Sequence, residues 1–231
     1  METVQNIKMT TALLLCLLLT AVSSAQDWGN LEFYAKHNTQ VKQSPNEQRV
    51  VFMGNSITRN WKKYSPEFFK THTNYINRGI GGQTTPQMLV RFRPDVINLD
   101  PEVVVIMAGT NDIAGNTGPM TLDMTFENIV SMVELAQSNG IQVVLCSVLP
   151  AIDFPWRKGK EPADKIAVLN GMLKGYALAK GITYVDYYAE MVNQEKGLIE
   201  ALTFDGVHPN ETGYKLMEPI INKVIAAVLK D

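Results

Sequence analysis

Three short stretches combine residue types that could do chemistry: Ser56 in "GNSIT", Asn111 in "AGTND", and Asp205 with His208 in "FDGVHPN". A serine hydroxyl is a weak nucleophile until a base takes its proton, and imidazole suits that task near neutral pH. A carboxylate three residues before the histidine can hold one ring nitrogen while the other faces the serine. That orients the tautomer and stabilises the imidazolium. Attack on an ester carbonyl also requires donors for the developing oxyanion. The Ser56 amide at a helix start, the amide of a glycine in "NRGIGGQTT" and the Asn111 side chain can supply them. The combination is that of acyl transfer.

Taken singly, each residue has an ordinary explanation. Serine at a strand-to-helix junction is a favoured N-cap. Gly79, Gly81 and Gly82 permit a turn with positive φ. Asn111 suits a turn, as do Asp205 and Gly206, and His208 could be a surface imidazole. The elements that carry these residues argue for more. Apolar, β-branched runs at residues 50–53, 75–77, 103–107, 141–148 and 183–185 have the character of strands buried on both faces. Between and after them, residues 85–92, 121–139, 163–180 and 214–229 carry helical periodicity, with Met124, Ile129, Met132, Val133 and Ala136 as one stripe. The alternation predicts an α/β fold of three layers, a parallel sheet with helices on both faces. Ligands of such sheets bind outside the carboxyl ends of the strands. The serine, glycine and asparagine stretches each follow a strand, and the Asp205 stretch follows the last after a connecting segment. Of the three histidines, His37, His72 and His208, only His208 falls at that edge.

Length and composition fit this architecture. At 231 residues and 45% hydrophobic content, the chain can bury one sizeable core. A net charge of −2 without long blocks of either sign leaves no electrostatic footprint for nucleic acid or an anionic membrane surface. Lys8, the apolar run "ALLLCLLLTAV" and then Ser23, Ser24 and Ala25 read as a secretory signal peptide over residues 1–25, cleaved after Ala25. The run is short for a transmembrane span, which needs about 20 apolar residues. Leu15 disfavours a lipid anchor on Cys16. The expected product is an exported protein, periplasmic or extracellular, with one domain over residues 26–231. Cys146, in "IQVVLCSV", would then be its sole cysteine, an inert buried thiol. Residues 27–42 carry Trp28, Leu31, Tyr34 and Ala35 at helical spacing, a stripe expected to pack on the body.

In order and spacing, these stretches resemble the SGNH, or GDSL-type, hydrolases, whose marks are a nucleophile block, a glycine block, a G-x-N-D block and a D-x-x-H block. The resemblance runs from about Val50 to Leu229. It implies Ser56 as nucleophile, Asp205 and His208 as the rest of a catalytic triad, and an oxyanion hole of the Ser56 and Gly82 amides with the Asn111 side chain. It also implies a flavodoxin-like sheet of five parallel strands in the order 2-1-3-4-5 and ester hydrolysis without metal or cofactor. Asn55 stands where the family's G-D-S triplet has aspartate, which removes a negative charge beside the nucleophile. That aspartate is not a triad member. No H-E-x-x-H or clustered Cys/His set points to a metal, and no G-x-x-x-x-G-K-[ST] to a nucleotide.

The resemblance leaves the ester open, since the family acts on lysophospholipids, thioesters, aryl esters and acetylated sugars. Acetyl removal from a carbohydrate is the expectation, with a small-molecule or oligosaccharide ester as partner. No long amphipathic segment offers a means of engaging a lipid surface. The segment "IDFPWRKGK" at residues 152–160 should overhang the site, offering Phe154 and Trp156 with Asp153, Arg157 and Lys158 to a sugar. Trp156 could equally pin the loop to the body. A lysophospholipase or thioesterase, an acyltransferase using the same triad, and a binding module with a dead site are the alternatives.

Overall fold

Five apolar runs form one parallel sheet: β1 (Val50–Gly54), β2 (Tyr75–Gly79), β3 (Val103–Met107), β4 (Gln142–Cys146) and β5 (Thr183–Val185), in the order β2-β1-β3-β4-β5. The computed structural model describes residues 27–45 and 48–230. The expected signal peptide and its cleavage after Ala25 lie outside the described residues. Helices α1 (Ala35–Gln43), α2 (Ser56–Tyr64), α3 (Pro66–Thr71), α4 (Thr85–Asp95), α5 (Thr110–Ala114), α6 (Leu122–Ser138), α7 (Pro162–Lys180), α8 (Tyr187–Met191) and α9 (Glu211–Val228) complete the element order.

The two-residue period of the strands sorts their side chains into two cores. Val51, Met53, Val104, Ile106, Val143 and Leu145 pack against Met88 and Phe92 of α4, Ile129 and Met132 of α6, and Leu169 and Leu173 of α7. Val50, Phe52, Val103, Val105, Val144 and Cys146 face the other way, onto Ile57 and Trp61 of α2, Phe68 of α3, and Met217, Ile221 and Ile225 of α9. A sheet covered on both faces is why its strands read as nearly continuous apolar runs. Cys146 is buried, and desolvation pushes its thiol up. The expected inert role therefore fits.

The N-terminal segment meets expectation in part: Tyr34 packs on the body, its hydroxyl donating to Gly79 O at 2.7 Å and its ring lying under Arg78. Trp28, Leu31 and Phe33 are 43%, 41% and 53% exposed, and helix α1 begins only at Ala35, burying Asn38 and Val41. The Asp27 carboxylate accepts from the amides of Leu31 and Glu32, which fastens residues 27–34 into turns with no continuous helical face. Element ends also differ. The strand expected at residues 141–148 is β4, paired from Gln142, because the Ile141 amide instead bonds Ala136 O at the end of α6. The last helix starts at Glu211, where Asn210 caps it by accepting from the Gly213 amide.

One side of the sheet carries a buried polar network that the sequence did not reveal. Arg91 of α4 is fully buried and donates to the Gln83 side chain, to Asp95 Oδ2 at 2.9 Å and to Gly54 O at 3.1 Å. Asp95 also accepts from Asn38 at 2.7 Å, and Asn38 accepts from Arg78 Nε at 2.9 Å. Removing one partner of a buried ion pair leaves an uncompensated charge, at a cost of about 3–5 kcal/mol. Asp95→Ala should therefore lower stability by about that amount. Urea unfolding checks it, and a midpoint near that of the unaltered protein would show that Arg91 does not depend on Asp95.

Candidate active site

Strand register brings three of the polar stretches to one level. Gly54 at the end of β1 pairs with Gly79 of β2 and Met107 of β3, so the chain leaves all three strands side by side. Two glycines let the elements that follow come close. A Cβ on Gly54 would lie 2.9 Å from Met107 O, and one on Gly79 would lie 2.2 Å from the Arg59 amide nitrogen, inside the first turn of α2. Asn55 is the N-cap of that helix, its Oδ1 accepting from the Ile57 amide at 2.9 Å. The cap role open to Ser56 is thus taken by its neighbour. Ser56 is the first helical residue, with a hydroxyl free to face elsewhere.

It faces His208. Ser56 Oγ lies 2.9 Å from His208 Nε2, and His208 Nδ1 lies 2.8 Å from Asp205 Oδ2. An ionised carboxylate only accepts, so Asp205 assigns the proton to Nδ1 and leaves the Nε2 lone pair for the serine hydroxyl. The other carboxylate oxygen accepts from the amides of His208 and Val207 at 2.8 and 3.0 Å. Thr203 closes the turn, its hydroxyl donating to His208 O at 2.8 Å and accepting from the Gly206 amide at 3.0 Å. Partial burial works to raise the Asp205 carboxyl, but the His208 amide, its imidazole and the Val207 amide together hold it below the usual carboxylate range.

Ser56, Gly81, Gly82, Asn111 and His208 line one cleft of about 340 Å³, together with Arg59, Asn116 and Trp156. Gly82 has φ +77°, a conformation that suits glycine, whereas Gly81 lies beneath the Arg59 guanidinium. Asn111 is buried at the start of α5 and donates from Nδ2 to Gln83 O at 2.9 Å. Its Oδ1 accepts from Asn116 Nδ2 at 3.0 Å, which settles which way the amide points. One Asn111 N–H remains unclaimed by these contacts. Asn116 also donates to Gly82 O at 3.1 Å and accepts from Trp156 Nε1 at 3.0 Å. The Trp156 ring, 40% exposed, sits 5.7 Å from the His208 ring and stacks on Phe154 at 5.2 Å.

The overhanging loop divides its labour in a way its composition did not indicate. Phe154 is fully buried and anchors the loop. Asp153, expected on the rim, is exposed beside a cleft that reaches Asp205, and it accepts from the amides of Phe154 and Gly159 within its own loop. Two further residues escaped sequence reasoning. Asn116 lies beyond the Gly115 turn that ends α5, and an asparagine after a turn carries no signal of its own. Asp112 is buried and holds the start of α4, its Oδ1 accepting from the Thr85 amide at 2.8 Å and hydroxyl at 2.6 Å. Its Oδ2 is buried without a partner. Burial pushes that carboxyl up to about 6, against the pull of the Thr85 hydroxyl and amide.

Residues 52–216 match the model of the GDSL-like lipase/acylhydrolase family. A solved structure from Bacteroides fragilis, of a protein assigned as an acylhydrolase, is 54% identical with a TM-score of 0.85, covering 88% of this chain and 99% of that one. YqeF of Bacillus subtilis, an uncharacterized lipoprotein, is 40% identical over 120 residues, 45% of this chain and 49% of that protein. An acetylxylan esterase of Xylanibacter ruminicola is 26% identical over 175 residues, 64% of this chain and 35% of that enzyme. The chain thus spans about half the length of the first of these two curated relatives and about a third of the second.

The glycines at the strand ends do different work, and alanine separates them. At Gly82 an added Cβ meets nothing nearer than Asn116 Nδ2 at 4.0 Å, so only the backbone conformation resists it. Gly82→Ala should cost about 1–2 kcal/mol. At Gly79 the Cβ would meet the backbone of Arg59 and Asn55, which cannot yield, so Gly79→Ala should cost about 3 kcal/mol or more. Denaturation midpoints check the order, and equal losses would overturn it.

Proposed function

The chain belongs to the GDSL-like lipase/acylhydrolase family, and from that premise we propose that it is an exported ester hydrolase that removes short acyl groups, acetyl foremost, from carbohydrate esters. The observation that carries the chemistry is the relay Ser56–His208–Asp205, with separations of 2.9 and 2.8 Å. In this reading Ser56 Oγ attacks the ester carbonyl carbon while His208 Nε2 takes its proton. The carbonyl oxygen becomes an oxyanion facing the Ser56 and Gly82 amides and the free Asn111 N–H. Collapse of the tetrahedral adduct expels the sugar hydroxyl, which receives the proton from His208. Water, deprotonated by the same imidazole, then hydrolyses the acyl-serine and releases the acid. Each oxyanion donor is worth about 10²–10³ in turnover. Asn116 supports this by holding Asn111 in the one orientation that leaves an N–H for the oxyanion.

The substrate reading rests on what rims the cleft. The cleft beside Ser56 is lined by polar residues and glycines apart from Trp156, whose indole offers an apolar face to a sugar ring, while a second cleft of about 380 Å³ that reaches Asp205 is lined by Ile152, Pro155 and Leu198. A curated relative is an acetylxylan esterase. For export, the support is the apolar run before Ala25 and a relative that is a lipoprotein. No helix among the described residues is long and apolar enough to cross a membrane.

Two measurements test this. Ser56→Ala should keep the fold, since Asn55 makes the cap, yet lose labelling by a fluorophosphonate and all ester turnover. Asp205→Asn should lose about 10³–10⁴ in turnover, because an amide facing Nδ1 reverses the tautomer. In the unaltered protein, because its carboxyl is held below the usual range, Asp205 stays ionised and keeps its hold on the imidazole as the pH is lowered into the mildly acid range. Full activity in either folded variant would remove the triad assignment. Second, rates on acetyl, butyryl and octanoyl esters of one leaving group should fall with length, and acetate should be released from acetylated xylo-oligosaccharides. A preference for octanoyl would favour a lysophospholipase or thioesterase. Acyl transfer to an added sugar in place of water would favour an acyltransferase.

A further inference from the structure

The helix that begins at the proposed nucleophile carries positive charge away from it along one face. Residues three apart on a helix are neighbours, so Ser56, Arg59 and Lys62 of α2 form a row. At 1.5 Å rise per residue, Arg59 and Lys62 stand about 4.5 and 9 Å along the axis from Ser56. Both side chains are exposed, and neither has a hydrogen-bond or ion-pair partner among the described residues. The Arg59 guanidinium lies over Gly81, where an added Cβ would be only 2.9 Å from Nη1. Gly81 is thus the floor on which this cation rests inside the cleft.

Arg59 also lines a second, larger cleft of about 620 Å³, which therefore adjoins the first. Lys62, His37, Phe33, Tyr34 and Tyr75 line it as well, and no acidic side chain does. Lys70, which also lines it, is already paired with Glu67 at 2.6 Å. Phe33 is 53% exposed there. The chain as a whole is slightly acidic at −2, so a groove holding two unpaired cations and aromatic rings, and no acid, is a local concentration. Phe33 presents its exposed ring to a sugar, whereas Arg78 covers one face of Tyr34 and Tyr75 stacks on His72, and a guanidinium forks onto carboxylate.

We propose that this groove binds an acidic oligosaccharide, with carboxylates of uronate-type sugars on Arg59 and Lys62 and the acylated sugar at Ser56. The choice of ligand rests on the carbohydrate-ester reading above. The groove would then set which acetylated glycan the cleft accepts: one bearing carboxylates rather than a neutral chain.

The test is binding, with hydrolysis removed from the question. Ser56→Ala protein is titrated by calorimetry with oligogalacturonate, which carries no ester, and with neutral xylo-oligosaccharide of equal length. Because neither ligand nor protein can react, the outcome does not depend on whether acetyl esters are cleaved. Oligogalacturonate should bind more tightly than the neutral chain and weaken with added salt. Arg59→Gln and Lys62→Gln should each reduce its affinity about tenfold. Gly81→Ala, which displaces the guanidinium without removing it, should weaken the same ligand. Equal affinity for acidic and neutral chains, or unchanged affinity in the Arg59→Gln, Lys62→Gln double variant with an unaltered circular dichroism spectrum, overturns the proposal. So does binding of phosphatidylglycerol vesicles through Arg59 and Lys62 with no binding of oligogalacturonate.

Discussion

The arrangement depends above all on Arg91, a buried cation that holds the end of β1, the glycine loop and α4 at once. Its guanidinium reaches Gly54 O, the Gln83 side chain and Asp95, and all three partners are out of contact with solvent or nearly so. A buried arginine cannot shed its charge, so its partners must stay where its fork geometry needs them. Gln83 in turn presents the carbonyl to which Asn111 donates. The placement of Asn111, the proposed oxyanion donor, thus goes back, through two contacts, to an ion pair inside the helical layer.

A second constraint works from the solvent side. Asn116 joins Asn111, Gly82 and Trp156, so the floor of the cleft, its glycine wall and its aromatic rim are linked through one amide. Loops carry the chemistry in folds of this kind because a rigid scaffold positions them. Here the scaffold supplies level strand ends, and Asn116 and the Phe154 anchor remove much of the freedom the loops would have. The proposed base is held differently. The Thr203 hydroxyl and Asp205 Oδ1 bond the backbone of the turn that carries His208 while Asp205 Oδ2 holds its Nδ1, so the imidazole is fixed by its own local hydrogen bonds.

Asn55, where the resembled G-D-S triplet has aspartate, is the N-cap of α2. An asparagine side chain caps a helix about as well as aspartate, and here it does so through Oδ1. What differs is charge. The first turn of α2 contains no acidic residue, so the row from Ser56 to Lys62 is uniformly neutral or positive, in keeping with an anionic ligand.

Much of this was legible in the chain itself. The apolar runs disclosed the parallel sheet because strands covered on both faces have no polar side to show, and the spacing of Asp205 and His208 disclosed their contact because a three-residue turn leaves little choice. Local patterns also placed Ser56, the glycines and Asn111 at the strand ends. The N-terminal stripe packs on the body at Tyr34 alone, since helical spacing in Trp28 and Leu31 says nothing of whether Asp27 will fold the same residues into turns. Arg91, Asp95, Asn116 and Arg59 could not be read at all. Their roles arise from partners far along the chain, and a side chain in a helix carries no mark of what will pack over it. Residue type and short-range spacing determined which groups could react. Only the tertiary structure decided how they are held, because burial, register and long-range hydrogen bonds exist only once the layers have closed.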